Sequence, residues 1–155
     1  MATLNKATQI AALVHEGQSD KAGAAYILHP LRMMMRLQSE AEMMTAVMHD
    51  VVEESRNNPP ETKWTFDRLR EHGFSEEVVQ ALDGVTDRKA EGESYDAFVE
   101  RAALNPISRV VKIADLEDNM NMLRMSELRP KDLERLAKYH RSWHRLSAAS
   151  EGVNL

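Results

Sequence analysis

His29, the adjacent pair His49-Asp50 and Asp115 offer two imidazoles and two carboxylates. That mixed nitrogen and oxygen set suits a borderline divalent cation that activates water. His29 belongs to the run Tyr26-Ile27-Leu28-His29-Pro30, and Asp115 closes Lys112-Ile113-Ala114-Asp115. His49-Asp50 follows the largely apolar stretch from Met43 to Met48, where an unpaired charge would face a desolvation cost of several kcal/mol. Cation binding relieves that cost, so the four residues read as metal ligands of a hydrolase. If the helix carrying the pair continues, Glu53 falls one turn beyond His49 and Glu54 one turn beyond Asp50. Both acids would then be placed to orient, deprotonate or reprotonate the attacking water, which makes them the candidate catalytic pair. By the same spacing Asn119 lies one turn beyond Asp115, a neutral group able to hold substrate or steady a ligand.

Helices must position these groups, because apolar i, i+3, i+4 spacing recurs from end to end and no segment sustains period-2 alternation. The fold class is all-α. A first helix runs from Leu4 to about Gly17 behind Thr3 as N-cap, with Ile10, Leu13 and Val14 facing inward. His29 sits at the entry of a second helix that has Pro30 in its first turn and reaches Leu37. A third starts at Ser39 or Glu40 and continues through His49-Asp50 to Glu54, before the polar, proline-rich break Arg56-Asn57-Asn58-Pro59-Pro60. Thr65, Ser75 and Ser94 open further helices, and Gly84 and Gly92 bracket a polar loop from Asp87 to Glu91. Asn105-Pro106 starts the helix that carries Asp115, and Pro130 starts a last helix in which Leu133, Leu136, Ala137, His140 and Trp143 share a face.

A chain of 155 residues reads as one domain, able to bury roughly 68–70% of the surface its unfolded form exposes. Its 43% hydrophobic and 29% charged residues are those of a soluble globular protein, with no run near the roughly 20 apolar residues of a membrane span. There is no cysteine, and the first residues lack the pattern of a secretory signal, so a cytoplasmic location is expected. A net charge of −5 argues against a nucleic-acid binder, whose affinity comes from clustered Lys and Arg. It still allows a small phosphorylated substrate drawn by a bound cation and a few local basic groups. His140 and His144 have an i, i+4 spacing that binds zinc in other settings, but no third ligand is near them in sequence. His15 and His72 read as helix-end residues, where a cationic imidazole complements the dipole. Thiol catalysis, a nucleophile elbow and a P-loop are all excluded.

Together these residues resemble the HD superfamily of metal-dependent phosphohydrolases, and within it the hydrolase domain of the RelA/SpoT family and its small stand-alone relatives. The likeness runs from about His15 to Met122. It includes His15-Glu16-Gly17-Gln18, Lys21, Gly23, the run to Pro30, His49-Asp50-Val51-Val52-Glu53-Glu54, Gly84-Val85-Thr86, Lys112, Asp115 and Asn119. The resemblance implies a single-domain HD-type helical bundle in which His29, His49, Asp50 and Asp115 hold one cation, usually manganese. It implies removal of the 3′-pyrophosphate from guanosine tetra- or pentaphosphate, with Glu53 and Glu54 serving the attacking water. Lys21, Tyr26 and Asn119 match positions that contact the nucleotide. The chain departs from the pattern at Asp20, where the family commonly has Arg, at Asp87, where it has Lys, and at Glu54, where it has Asp. The family run Asp-Arg-Leu-His-Asn becomes Asp115-Leu116-Glu117-Asp118-Asn119. The cation set therefore keeps its pattern, while acids enter the nucleotide pocket. Two other readings follow: a hydrolase of a different nucleotide or phosphoester, and a non-catalytic module that binds a nucleotide beside its metal. The synthetase and regulatory domains of the long enzymes have no counterpart in 155 residues, so no alarmone synthesis is expected.

Overall fold

Short polar side chains start most of the helices. Thr3, Ser39, Thr65, Ser75 and Ser94 each accept a hydrogen bond from the backbone N–H three residues on, and Asn105 accepts from Ile107 and Ser108 ahead of Pro106. At Ser39 the exchange is reciprocal, because the Glu42 carboxylate accepts from the Ser39 N–H. The computed structural model describes residues 1–150. They form α1 (Leu4–Val14), α2 (Leu28–Met35), α3 (Glu40–Val47), α4 (Val51–Glu54), α5 (Phe66–Glu71), α6 (Glu76–Val85), α7 (Tyr95–Ala103), α8 (Pro106–Asn119) and α9 (Pro130–Ser150). No strand occurs among the described residues, only an isolated bridge between Ser19 and Ala25. No described helix is long and apolar enough to cross a membrane.

α3 lies at the centre, packed against α1, α2, α6 and α8. The main core gathers Ile10, Met33, Val47, Met48, Leu69 and Leu82, and burying each such side chain stabilises the fold by about 1.5–3 kcal/mol. Val99, Ala103, Leu116 and Leu146 form a smaller cluster that fastens α7 and α9 to α8. The described residues thus form an all-α fold, with α2, α8 and the turn after α3 side by side to carry the candidate ligands.

Four expectations need correction. Leu13 is 76% exposed, because α1 buries Ala7, Ile10 and Ala11 and ends at Val14, which turns Leu13 outward. The third helix does not run on to Glu54: α3 stops at Val47, and His49-Asp50 occupies a turn before α4. The His49 imidazole Nδ1 donates to the Ala46 carbonyl at 2.9 Å, taking the acceptor that the Asp50 N–H would need to continue an α-helix. Gly84 belongs to α6, not to a loop, and its missing Cβ is what lets α6 meet α8: a Cβ there would lie 2.8 Å from that of Ser108. On α9 the inward face is Asp132, Tyr139, Ser142, Trp143 and Leu146, while Leu133 is 51% exposed and Ala137 and His140 are also exposed. Contact with α7 and α8 sets that face, rotating it from the one the apolar spacing suggests.

Candidate metal centre and cleft

His29 lies in the first turn of α2, His49 in the turn after α3, and Asp115 on α8, and all three are buried. One ligand atom from each lies within 4.8 Å of the others. His29 Nε2 is 3.1 Å and His49 Nε2 3.9 Å from Asp115 Oδ1, and Asp50 Oδ2 is 3.1 Å from His49 Nε2. The two imidazole rings stand edge to face, 5.1 Å apart. In both rings Nδ1 is already bonded, in His29 to Asp118 at 2.6 Å and in His49 to the Ala46 carbonyl, so each turns Nε2 toward the shared space. This is how metal-ligating histidines are held, and the two nitrogens with the Asp115 carboxylate fit a borderline divalent cation, while Asp50 adjoins the group through His49 and Tyr26.

Charge in this space is tightly coupled. Burial raises the Asp115 carboxyl, but the Lys112 ammonium at 2.7 Å and the hydrogen bond from His29 outweigh it and hold Asp115 well below the usual carboxylate range. Asp50 is likewise raised by burial and lowered further by His49 and by the Tyr26 hydroxyl, ending at about 2. Burial lowers His29, yet hydrogen bonds to Asp115 and Asp118 carry it to about 9. Glu53 is pushed up to about 8 by burial, by a hydrogen bond with Asp87 and by the charges of Asp50 and Asp87.

Around the ligands opens a cleft of about 780 Å³, within the roughly 300–1,000 Å³ of small-molecule sites. Glu53, Lys21, Tyr26 and Asn119 all line it. Glu54 does not: it is exposed and accepts from Gln18 Nε2 at 3.3 Å. The Tyr26 hydroxyl donates to Asp50, and Asn119 Nδ2 donates to Asp115 Oδ1 at 2.8 Å, so both brace the ligand set. Asp20 lines the cleft but is occupied with its own loop, where Oδ1 accepts from the N–H groups of Ala22 and Ala24, each at 2.9 Å.

Sequence reasoning missed three features. Asp118 stands behind His29, and only its i, i+3 spacing from Asp115 hints at it. Arg135, Lys138 and Tyr139 of α9 line the cleft, although their spacing reads equally well as a solvated face. His15, expected as a helix-end cation, is buried, its basicity lowered by desolvation; it bonds Gln18 at 2.8 Å and packs 4.8 Å from the Tyr26 ring. His72 does sit at a helix end, where Nδ1 donates to the Arg68 carbonyl of α5 at 2.8 Å. His140 and His144 are 4.6 Å apart, with no third ligand grouped to them among the described residues.

No family model matches the chain. Characterised proteins do. A GTP pyrophosphokinase of Streptomyces coelicolor is 31% identical over 132 residues, covering 78% of this chain and 15% of that protein. A guanosine-3′,5′-bis(diphosphate) 3′-pyrophosphohydrolase of Haemophilus influenzae is 32% identical over 143 residues, 83% of this chain and 20% of that one. The bifunctional (p)ppGpp synthase/hydrolase SpoT of Escherichia coli is 29% identical over 149 residues, 87% of this chain and 20% of its own length. The chain thus spans a fifth or less of these curated relatives. The solved structure of a metazoan SpoT ortholog that hydrolyses ppGpp shares the fold, with a TM-score of 0.70 and 20% identity over 94% of this chain and 85% of that one. The sequence likeness and the shared helical fold, joined to the ordered set from His29 to Asp115, make this chain an HD domain of the RelA/SpoT type.

Proposed function

We propose that the chain is a metal-dependent phosphohydrolase that removes the 3′-pyrophosphate of guanosine tetraphosphate, with manganese as its cation. The observation that carries this reading is the convergence of His29, His49, Asp50 and Asp115 in one cleft with Glu53 and a group of cations. Lys138 is pushed down by burial and by neighbouring Lys112, Arg135 and Lys89, so these basic groups stand close enough to offer one positive wall to a polyphosphate. The named activities of the Haemophilus and Escherichia relatives point to the same nucleotide.

When bound, the cation supplies Lewis acidity toward a phosphoryl oxygen and the attacking water, and its charge favours ionised Glu53. Glu53 then takes the water proton as the water oxygen bonds to phosphorus. The bond from that phosphorus to the ribose 3′ oxygen breaks, the departing 3′ oxygen takes up a proton to become a hydroxyl, pyrophosphate is released, and Glu53 gives its proton back to solvent. Glu54, the second candidate acid, lies outside the cleft and is bonded to Gln18, so of the two only Glu53 is assigned to the water. Lys21 holds a nucleotide phosphate at the rim, while Tyr26 and Asn119 contact the substrate from their places beside Asp50 and Asp115. A second reading, hydrolysis of a different phosphorylated nucleotide, is favoured by Asp87, an acid beside Glu53 where the family has a lysine.

Both readings are tested by incubating the manganese-loaded protein with a panel of nucleotides, guanosine tetraphosphate among them, and following phosphate and pyrophosphate release. Pyrophosphate from the tetraphosphate is expected, with Glu53→Gln keeping its metal but losing turnover by about 100-fold or more. If no nucleotide turns over, and Asp50→Ala binds the same ligands as the parent, the hydrolase reading is abandoned.

A further inference from the structure

We infer that Asp118 is a positioning residue of the metal centre, orienting His29 so that Nε2 faces Asp115 and His49. Asp118 is 1% exposed, and a buried carboxylate costs several kcal/mol unless it is paired. Its partners are specific. Oδ2 meets His29 Nδ1 at 2.6 Å, while Arg32 grips both oxygens, Nε to Oδ1 at 2.7 Å and Nη2 to Oδ2 at 3.0 Å. Arg32 lies three residues after His29 on α2, so one turn of helix presents both the imidazole and the fork that holds its carboxylate. Bidentate pairing fixes the carboxylate plane, and an ionised carboxylate only accepts. Asp118 therefore keeps a proton on Nδ1, and the nitrogen open to exchange is Nε2, whose proton faces Asp115 in the metal-free protein and is the one a cation displaces. Arg124 adds a third hold, Nη2 to the Asp118 carbonyl at 2.9 Å and to Oδ2 at 3.5 Å, with Nη1 3.9 Å from Asp20. The same guanidinium thus ties the orienting carboxylate to the loop that carries Lys21. Asp118 occupies the position of the histidine in the family run, so the device belongs to this chain in particular.

This inference rests on the metal reading above, and its test separates the two. Whether the parent binds cobalt in a calorimetric titration tests the metal reading; the ratio of variant to parent dissociation constants tests Asp118. Asp118→Asn keeps the shape but loses the charge, and it is expected to weaken cobalt binding 10–100-fold with an unchanged circular dichroism spectrum. A purely structural Asp118 would lower the melting temperature and leave the cobalt constant of the folded protein where it was; that result overturns the inference. If the variant does not fold, nitrogen-15 histidine NMR of the parent decides. A proton on Nδ1 of His29, and Nε2 as the coordinating atom once zinc is added, supports the assignment. Loss of the Nδ1 proton on zinc binding, or coordination through Nδ1, overturns it, and the zinc-bound spectrum reads this even if the proposed reaction is wrong.

Discussion

Replacing Lys112 by methionine keeps the length of the side chain and removes its charge. In the parent, Nζ lies 2.7 Å from Asp115 Oδ2 and 4.7 Å from the Phe98 ring centre, and both members of the ion pair are buried. Breaking a buried pair by removing one partner costs about 3–5 kcal/mol. For a chain of this length each kcal/mol moves the melting midpoint by roughly 2–4 °C, so the metal-free variant should melt about 6–20 °C lower. Hydrogen bonds from His29 and Asn119 to Asp115 survive, which places the expected loss in the lower half of that range. Metal should have the opposite sign of effect. With one positive charge gone from beside Asp115, a divalent cation meets less repulsion and compensates the orphaned carboxylate. Calorimetric melting with and without manganese should therefore show a larger metal-induced rise in Lys112→Met than in the parent. An unchanged metal-free midpoint, or an equal rise in both proteins, would refute the view that Lys112 stands in for missing positive charge at this site.

The His29 proton gives a pH signature. Its affinity in the folded protein is raised to about 9 against an ordinary value near 6.5, so its contribution is fully present below about pH 6.5 and is lost as the pH climbs through about 9. The lost amount is about 3 kcal/mol, and melting of the metal-free protein should show a falling midpoint across that window which His29→Gln abolishes; a flat profile in the parent refutes it. Because a ligating imidazole must be unprotonated, cobalt uptake near pH 7.5 should release about one proton from His29, measurable by titration in buffers of different ionisation enthalpy. At the contact of α6 and α8, Gly84→Ala should destabilise by about 1–3 kcal/mol in denaturant unfolding, since the new methyl overlaps Ser108.

Much of the fold was legible because it is written in neighbours. Thr3, Ser39, Thr65, Ser75, Ser94 and Asn105 mark helix starts through hydrogen bonds spanning two or three residues, which sequence spacing states directly. The candidate ligands were legible for a similar reason: adjacent His49-Asp50, the residues around His29 and the run to Asp115 are short patterns whose order carries the family likeness. Glu53 and Glu54 show where such reasoning stops, since one residue of rotation, after the turn at His49, sends the first into the cleft and the second out of it. Asp20 looked like a pocket acid, yet its carboxylate is taken up by two backbone amides of its own loop. Asp118 meets His29 across 89 residues of chain, and Arg135 and Lys138 reach the cleft only because α9 packs on α7 and α8. By itself, then, the sequence determined the helices, their caps and the identity of the donor atoms, all set by local hydrogen bonding and residue chemistry. The tertiary structure decided which face of each helix meets another, and hence which charges are buried together, because that depends on packing between segments far apart in the chain.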